Sequence, residues 1–456
     1  MGNLGKCVIF GNKESWESTR IKLSSYYEIL LCCENDPIDD VIYYFKQGAI
    51  IVVSHQTRYR QMAVRLKRYG ISEVYVMNDG FSYKYGEGEM LPFSLLPVIE
   101  PFKKKSKDSF AILYVQYYPN IRTSRIASVI KDLECEVAIA YYKETHQKGT
   151  IEVFGGNQYC FSTYKELIDL VNNSEFDVVQ VANRSFATLL VHTNKKILLD
   201  VQDMFSLYKN LHSTELSDEY IENSFCDGAI YTHCRVRDIA VEKYEIDASR
   251  THIVENLPLE SSLITERKEK LSKKDGEIHV VYEGDISFFD SRERDFYDYW
   301  RKLAEIGVHV HIYSALIRYP KIIQLIEENT YVHYEGNLSS ADLALEMTKY
   351  DCGWMMFNNE EGIGNIHLNY CSTNKLYEYL NAGLPVIIGD SKCHRGFIDK
   401  YNCGGELNFE CDLISQLKKI ASMKISVNFI EKNGLTMDRQ AIDILNFYKF
   451  IIAGKE

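Results

Sequence analysis

The chain has 456 residues, 46% of them hydrophobic, and a formal net charge of −12 at pH 7. This length accommodates about two or three domains, and the apolar fraction is sufficient to form buried cores. The negative charge argues against a nucleic-acid partner held through its phosphates, so we predict none. No apolar run approaches the roughly 20 residues needed to cross a bilayer, and the twelve cysteines are scattered without a C-x-x-C spacing. We therefore predict a soluble, cytoplasmic, reduced protein.

The first hundred residues alternate short β-rich runs with a helical stretch. We predict strands at 7–10, 50–53 and 73–77 and a helix at 56–69, which is the pattern of a small parallel α/β, Rossmann-like domain over residues 1–105. Only Gly11 occupies a position of the G-x-G-x-x-G fingerprint, so dinucleotide binding is disfavoured and an interaction or acceptor-positioning module is preferred.

A run of lysines follows, at Lys103, Lys104, Lys105 and Lys107. We interpret it as a solvated linker at the end of the first domain, and the alternative is a peripheral contact with an anionic membrane.

The strand and helix alternation then restarts and predicts a second α/β domain over residues 106–260. The predicted strands are 110–117, 136–141, 151–154, 177–182, 197–201, 228–232 and 251–255. Predicted helices lie at 123–133, from about 215, and at 235–243.

A third unit, over residues 261–430, has predicted strands at 278–284, 308–313, 331–336 and 352–357. Gly284, Asp285, Ser314 and Asn337 follow three of these strands. Open α/β sheets bind ligands at the carboxyl ends of their strands, so we expect these four residues to border a binding cleft. The last segment, residues 431–456, contains a helical apolar period over 435–452.

Residues 371–390, CSTNKLYEYLNAGLPVIIGD, combine a helix start with two charges on one helical face and a Gly-Pro exit into a strand. Ser372 or Thr373 is expected to cap the helix, whose amino end then attracts an anion. Lys375 and Glu378 are three residues apart and share a face, so the ammonium can contact a phosphate while the carboxylate accepts from a pair of hydroxyls. Gly383 is predicted to end the helix, and 386–388 to form a buried strand.

The run KLYEYLNAGLPVI resembles the nucleotide-sugar signature in the C-terminal domain of GT-B glycosyltransferases, specifically the family 4 "glycosyl transferases group 1" type. The resemblance implies a GT-B fold, with two Rossmann-like domains facing a cleft, preceded here by the small N-terminal domain. It implies that Glu378 holds the donor ribose and that the terminal helix packs across both halves. It also implies retaining, metal-independent hexosyl transfer to a saccharide, glycolipid or protein in bacterial surface glycan synthesis.

Transfer from a nucleotide sugar requires stabilisation of the departing diphosphate. No D-x-D pair is present to hold a cation, which favours the helix dipole and a side-chain cation, and no metal cofactor is expected. Lys375 is the first choice for diphosphate contact and catalysis, assisted by the backbone of Ser372, Thr373 and Asn374. The chain departs from the family where an Arg and a Lys usually follow the first strand, because Arg292 and Arg294 are the nearest cations. It also has Tyr370 where many members carry a second Glu.

In the N-terminal half, members of the family often place a His or an acidic residue after two central strands to meet the transferred sugar, and neither position has a His here. The matching positions are Asn183 and Arg184 after one strand and Asp203 after the next. Asp203 is the preferred contact to the donor sugar or acceptor, and capping of a following helix is the equal alternative. Tyr117 is a candidate for stacking on an acceptor sugar, against the alternative of core packing.

The twelve histidines show no H-E-x-x-H or other metal spacing. His279, His309 and His311 lie in predicted strands, and we predict structural roles for them.

Two other functions remain open at this point. One is a catalytically inactive GT-B-like binding or chaperone subunit of an active transferase, which the missing Arg/Lys pair and Tyr370 favour. The other is an NAD-type oxidoreductase or epimerase, which the incomplete glycine fingerprint disfavours.

Overall fold

The computed structural model describes residues 4–33, 38–55, 58–78, 81–85, 90–92, 99–142, 150–161, 163–182, 193–207, 213–286, 292–315, 317, 319–358, 366–389 and 391–454. The chain forms two compact units. The first contains Met1–Asn120 and Glu134–Ile197, and the second contains Ile121–Leu133 and Leu198–Glu456.

The strands are β1 (Gly5–Gly11), β2 (Tyr27–Cys33), β3 (Ile50–Ser54), β4 (Val74–Asn78), β5 (Phe81–Tyr85), β6 (Met90–Pro92), β7 (Ala111–Gln116), β8 (Glu136–Tyr141), β9 (Gln158–Cys160), β10 (Val178–Ala182), β11 (Lys196–Val201), β12 (Gly228–Tyr231), β13 (Thr251–Ile253), β14 (Ile278–Glu283), β15 (Val308–Tyr313), β16 (Val332–Gly336), β17 (Cys352–Trp354), β18 (Val386–Ile388) and β19 (Gly404–Glu406).

The α-helices are α1 (Lys13–Leu23), α2 (Ile38–Lys46), α3 (Tyr59–Arg68), α4 (Ile121–Lys131), α5 (Tyr164–Asn173), α6 (Ser213–Phe225), α7 (Cys234–Tyr244), α8 (Ser272–Asp275), α9 (Tyr297–Glu305), α10 (Pro320–Glu328), α11 (Ser340–Met347), α12 (Asn374–Asn381), α13 (Lys392–Tyr401), α14 (Leu413–Ala421), α15 (Phe429–Lys432) and α16 (Ala441–Ala453).

The first unit begins with a sheet in the order β2-β1-β3-β4-β5-β6. Its first four strands are parallel, as the sequence predicts, and β5 and β6 add an antiparallel extension that the sequence pattern did not indicate. A Cβ at Gly11 would lie 1.5 Å from the carbonyl oxygen of Ser54. Close packing of β1 on β3 therefore explains this glycine without a bound dinucleotide.

The same unit contains four parallel strands in the order β10-β7-β8-β9. The strand predicted at 151–154 is wrong, because Glu152–Phe154 is a 3₁₀ helix. Its i→i+3 hydrogen bonds close a tight turn at Gly155, which has φ +54°. In the lysine run, Lys103 lies 3.2 Å from Glu175 and Lys104 lies 2.6 Å from Asp177, so these two lysines have partners within the unit.

The second unit contains parallel strands in the order β13-β12-β11, with β11 belonging to it from Leu198 onward. Helix α16 packs against α4. The helix predicted over 435–452 begins later, because Met437–Gln440 forms a 3₁₀ turn before α16. Within the described part of the chain, every helix is too short or too polar to traverse a lipid bilayer.

The second unit also contains a parallel six-stranded sheet in the order β16-β15-β14-β17-β18-β19. Its core includes the fully buried Phe296, Trp300 and Trp354. The strand order reverses direction at β14, which has β15 on one side and β17 on the other. Ligands of open α/β sheets bind at such a switch point, outside the carboxyl ends of the strands.

Candidate functional site

The amino end of α12 is built as the sequence predicts. Thr373 is the N-cap, and its Oγ1 accepts a hydrogen bond from the backbone N–H of Lys375 at 3.1 Å. The helix ends in a Schellman motif, in which Gly383 has φ +75° and the N–H of Leu384 donates to the carbonyl of Tyr379. The buried strand β18 follows. These local features of the prediction are confirmed.

Lys375 lies against the carboxyl end of β14. Its Nζ is 3.0 Å from the position of a Cβ on Gly284, and 5.8 Å from the ring centroid of Tyr282. Gly284 has φ +123°, a conformation that disfavours a side chain, and a side chain would also displace the ammonium. Burial, together with repulsion by Arg294, lowers the pKa of Lys375. The structure therefore brings Lys375 and Gly284 together at the switch point.

Glu378 belongs to a group of two carboxyls and a guanidinium. Its Oε1 accepts from Nη2 of Arg125, on α4, at 2.8 Å. Burial, followed by the charge of Glu378, raises the pKa of Glu283, the last residue of β14. Burial alone would raise the pKa of Glu378, but the hydrogen bond from Glu283 and the charge of Arg125 lower it overall. Glu283 therefore holds its proton to higher pH than an ordinary carboxyl, and in its protonated form it donates to ionised Glu378.

We expect Glu283→Gln to flatten the dependence of stability on pH. The native state holds the proton of Glu283 at pH values where the unfolded chain has lost it, so the stability it contributes is lost as pH rises through the raised pKa. One such proton corresponds to about 1.4 kcal/mol per pH unit. Glutamine keeps a donor for Glu378 and cannot ionise. Urea unfolding in mildly acidic and mildly alkaline buffers measures the slope.

The control for this experiment is Glu327→Gln, which changes an exposed carboxyl on α10. It should leave the slope unchanged. A steep slope that persists in Glu283→Gln would contradict the assignment of the proton to Glu283.

Three buried polar atoms at this site have no hydrogen-bond partner within the described residues. They are Oδ1 of Asn374 on the first residue of α12, Oε1 of Glu283 and Nη1 of Arg125. Buried polar groups are almost always paired in folded proteins, so these three atoms are available to hydrogen-bond a bound ligand or water. The arrangement offers both acceptors and a charged donor to a polar, anionic ligand.

The other residues predicted on the donor side border the same edge of the sheet. Asp285 lies 3.9 Å from Nη1 of Arg294, which is one-third exposed. Ser314 is buried, and its N–H donates to the carbonyl of Gly336. Asn337 is exposed just after β16. The carbonyl of Ser372 accepts from Nδ2 of Asn256 at 2.9 Å, which anchors the segment before α12.

Asn256 is itself held by a buried ion pair. Nη1 of Arg122 donates to Oδ1 of Asn256 and to the carbonyl of Val254, both at 2.7 Å. Nε of the same arginine lies 3.0 Å from Asp200 Oδ1, and both charged side chains are at most 4% exposed. This network fixes the chain that leads into the amino end of α12.

The residues predicted to contact the transferred sugar or the acceptor do not all lie in the same unit. Asp203 follows β11, and its Oδ1 lies 3.3 Å from Nε2 of His367, in the 3₁₀ helix Ile366–Asn369 that precedes α12. In the first unit, Tyr117 packs against Tyr118 and Tyr142, with ring centroids 6.2 and 5.3 Å away. Asn183 and Arg184 lie outside the described residues, as does the side chain of Arg292.

Sequence reasoning missed Arg125, Glu283 and His367. Glu283 had a detectable signal, because it is a carboxylate at the end of a predicted strand, directly before Gly284. Arg125 had no such signal in the sequence, because it lies in a helix 253 positions before Glu378. Only the tertiary structure brings its guanidinium to the site.

The chain and its fold were compared with known proteins. Residues 288–426 match the family model "Glucosyltransferase 3-like, C-terminal domain". No curated protein sequence matches the chain.

Solved structures share the fold at low sequence identity. A glycosyltransferase from Rickettsia africae ESF-5 is similar at a TM-score of 0.56 with 13% identity, over 76% of this chain and 100% of that one. Anabaena Alr3699/HepE in complex with UDP-glucose is similar at a TM-score of 0.54 with 14% identity, over 74% of this chain and 99% of that one. The GT-B fold predicted from the sequence is confirmed. Both structures are matched almost completely, so the remaining part of this chain has no counterpart in them.

Proposed function

We propose that this chain, which shares the GT-B fold and matches a glucosyltransferase-like family model over residues 288–426, transfers a hexosyl group from a nucleoside-diphosphate sugar to a saccharide, glycolipid or protein acceptor. The transfer step retains the anomeric configuration and uses no metal ion. The observation that carries the proposal is the set of unpaired buried atoms around the capped amino end of α12, with Lys375 beside Gly284. This combination suits a ligand with a diphosphate and a diol.

The cations near the switch point would bind the leaving diphosphate. Lys375 lies at the carboxyl end of β14, and Arg294 is near enough to lower its pKa. Together with the amino end of α12, these two cations replace the usual Arg/Lys pair of the family. Their positive charge stabilises the negative charge that grows on the diphosphate as the glycosidic bond breaks.

The carboxyl pair of Glu283 and Glu378 would bind the nucleoside through its ribose. Arg125 and Glu283 each donate a hydrogen bond to the Glu378 carboxylate, which can accept about four hydrogen bonds in total. The remaining capacity is directed to the ribose hydroxyls. Asp203, held near His367, contributes the polar contact to the transferred sugar or to the acceptor.

We expect Glu378→Ala to raise the donor dissociation constant by tenfold or more, about 1.4 kcal/mol. The substitution removes the acceptor for the ribose and leaves the Arg125 guanidinium without its partner. Isothermal titration with the donor selected from a thermal-shift screen of UDP-, GDP-, dTDP- and CMP-sugars measures the change. UDP-glucose is the first probe, because it is the ligand in the similar HepE structure.

The matched control is Glu431→Ala, which removes an exposed carboxylate from α15. It should bind the donor like the unmodified protein. Unchanged donor binding in Glu378→Ala, with circular dichroism showing a folded protein, would refute the ribose assignment.

The rival function is an inactive GT-B-like subunit that works with an active transferase. Slow hydrolysis of the donor sugar by the purified protein supports the enzyme, whereas failure to bind any nucleotide supports the subunit. The product class that we propose is a bacterial surface glycan. All twelve cysteines are free, which supports a cytoplasmic location, with peripheral membrane or partner contact at the site of synthesis.

A further inference from the structure

Four histidines cluster on three adjacent strands of the six-stranded sheet. His279 on β14 is paired in register with His309 on β15, and His311 on β15 with His333 on β16. The rings of His279 and His309 stack with centroids 4.4 Å apart and an interplanar angle of 7°. The rings of His311 and His333 stack with centroids also 4.4 Å apart. Strand register, rather than sequence spacing, creates this cluster.

Two carboxylates close one edge of the cluster. Nε2 of His279 lies 3.0 Å from Oδ2 of Asp275, and Nε2 of His309 lies 2.7 Å from Oε2 of Glu277. One ligand atom from each of Asp275, His279 and His309 lies within 4.8 Å of the other two. The imidazoles are 5% and 15% exposed, whereas the carboxylates are 40% and 39% exposed. The nitrogens are therefore sheltered, and solvent reaches them past the carboxylates.

The other ring nitrogens are engaged deeper in the sheet. Nδ1 of His279 lies 2.9 Å from Nε2 of His311, whose Nδ1 lies 2.7 Å from Oε1 of Glu335. Nδ1 of His309 lies 2.9 Å from Nε2 of His333. Histidines that bind metals usually have their second nitrogen held in this way, which fixes the ring orientation and the tautomer.

One chain of contacts has one more close contact than two neutral imidazoles have protons, and either a third proton or a metal ion resolves the excess. Asp275, His279, His311 and Glu335 are joined by three close contacts, and two neutral imidazoles supply only two protons. If a metal ion takes Nε2 of His279, its proton moves to Nδ1 and is donated to His311. The proton of His311 then lies on Nδ1 and is donated to Glu335. Every remaining contact is then a complete hydrogen bond.

We infer that Asp275, His279 and His309 form a binding site for a divalent transition-metal ion, specifically Zn²⁺. Two imidazole nitrogens and one carboxylate oxygen, with a water molecule in the fourth position, are a suitable four-coordinate set, with bonds of about 2.0–2.2 Å. Because the rings of His279 and His309 are stacked within 7° of parallel, binding requires them to turn so that both nitrogens point at one ion. The site ties the segment containing α8, which ends at Asp275, to the sheet.

The metal site is separate from the donor site. His279 is near the amino end of β14, and Gly284 follows its carboxyl end, about 16 Å away at about 3.3 Å per residue. The ion therefore has no part in glycosyl transfer, and the metal independence proposed for that reaction is unaffected. Its role is to stabilise the fold of the sheet and the segment that enters it.

The test uses the full-length protein, freed of metal with a chelator and titrated with Zn²⁺ by calorimetry. We expect one ion per chain, and no binding at this site in His279→Gln or His309→Gln. His311→Gln, which changes a neighbour of a ligand, should weaken binding by about 10- to 100-fold. The control His55→Gln changes a histidine in the first unit and should bind like the unmodified protein.

A second variant guards against loss of folding in the buried histidine substitutions. The double substitution Asp275→Asn and Glu277→Gln alters only partly exposed side chains, and it should also weaken Zn²⁺ binding at least tenfold. Co²⁺ added to the unmodified protein should give the visible absorption of a four-coordinate site. No Zn²⁺ binding by the unmodified protein, or binding unchanged by the double substitution, would overturn the inference.

Discussion

Replacing Lys375 with Met is expected to lower donor hydrolysis or transfer, measured as kcat/KM, by roughly 100- to 1,000-fold. The methionine keeps most of the apolar stem beside Gly284 and Tyr282, so packing is preserved. It removes the positive charge that faces the developing charge of the diphosphate. Because that charge grows in the transition state, the loss should be larger in kcat/KM than in donor affinity.

Lys302→Met is a matched control for this substitution. The Nζ atom of Lys302 lies 5.8 Å from the ring centroid of Phe409, the same distance as that of Lys375 from Tyr282, but away from the switch point. It should leave activity unchanged. Undiminished turnover in Lys375→Met would show that Arg294 or another group carries the diphosphate contact.

Asp200→Asn is expected to destabilise the second unit by about 3–5 kcal/mol. The substitution keeps the shape of the side chain but leaves the Arg122 guanidinium as a buried charge without a counter-ion, since both side chains are at most 4% exposed. The cost arises from the uncompensated charge, which neither solvent nor the neutral acceptors Val254 and Asn256 can balance. Urea unfolding followed by tryptophan fluorescence measures the effect, because Trp300 and Trp354 are in the core of this unit.

Asp238→Asn provides the comparison, because it removes one partner of the exposed pair between Arg237 and Asp238. A surface pair contributes about 0–1 kcal/mol, so the unfolding curve should hardly move. Equal effects of the two substitutions would show that the Arg122 pair is not effectively buried. Loss of the buried pair should also weaken donor binding, because Arg122 holds Asn256 and Asn256 holds the carbonyl of Ser372.

Local features of the fold could be predicted with good accuracy. Strands such as 136–141 and 308–313 were placed at their exact limits, because short runs rich in Val, Ile and Tyr are typical of buried strands. The strand predicted at 151–154 failed because Gly155 allows a turn that apolar content does not indicate. The antiparallel strands β5 and β6 were missed although FSYKY alternates aromatic and polar residues, and β6 has only three residues.

The donor site could be predicted only along one segment. Thr373, Lys375, Glu378 and Gly383 are close in sequence, and the helical period determines which of them share a face or a cap. The strand ends at Gly284 and Ser314 followed from the rule that parallel sheets bind ligands at their carboxyl edge. The pairing of Glu378 with Arg125 and Glu283 could not be predicted, because it depends on how separate elements pack.

By itself, the sequence determined the alternation of strands and helices, the caps of α12 and the two charges that share one face of it, since these depend on residues within a few positions of one another. Only the tertiary structure decided the raised pKa of Glu283, the unpaired atoms around α12, the buried Arg122 pair and the histidine cluster. These properties depend on burial and on distances between groups on different elements. Strand register and packing set such distances, and spacing along the chain does not reveal them.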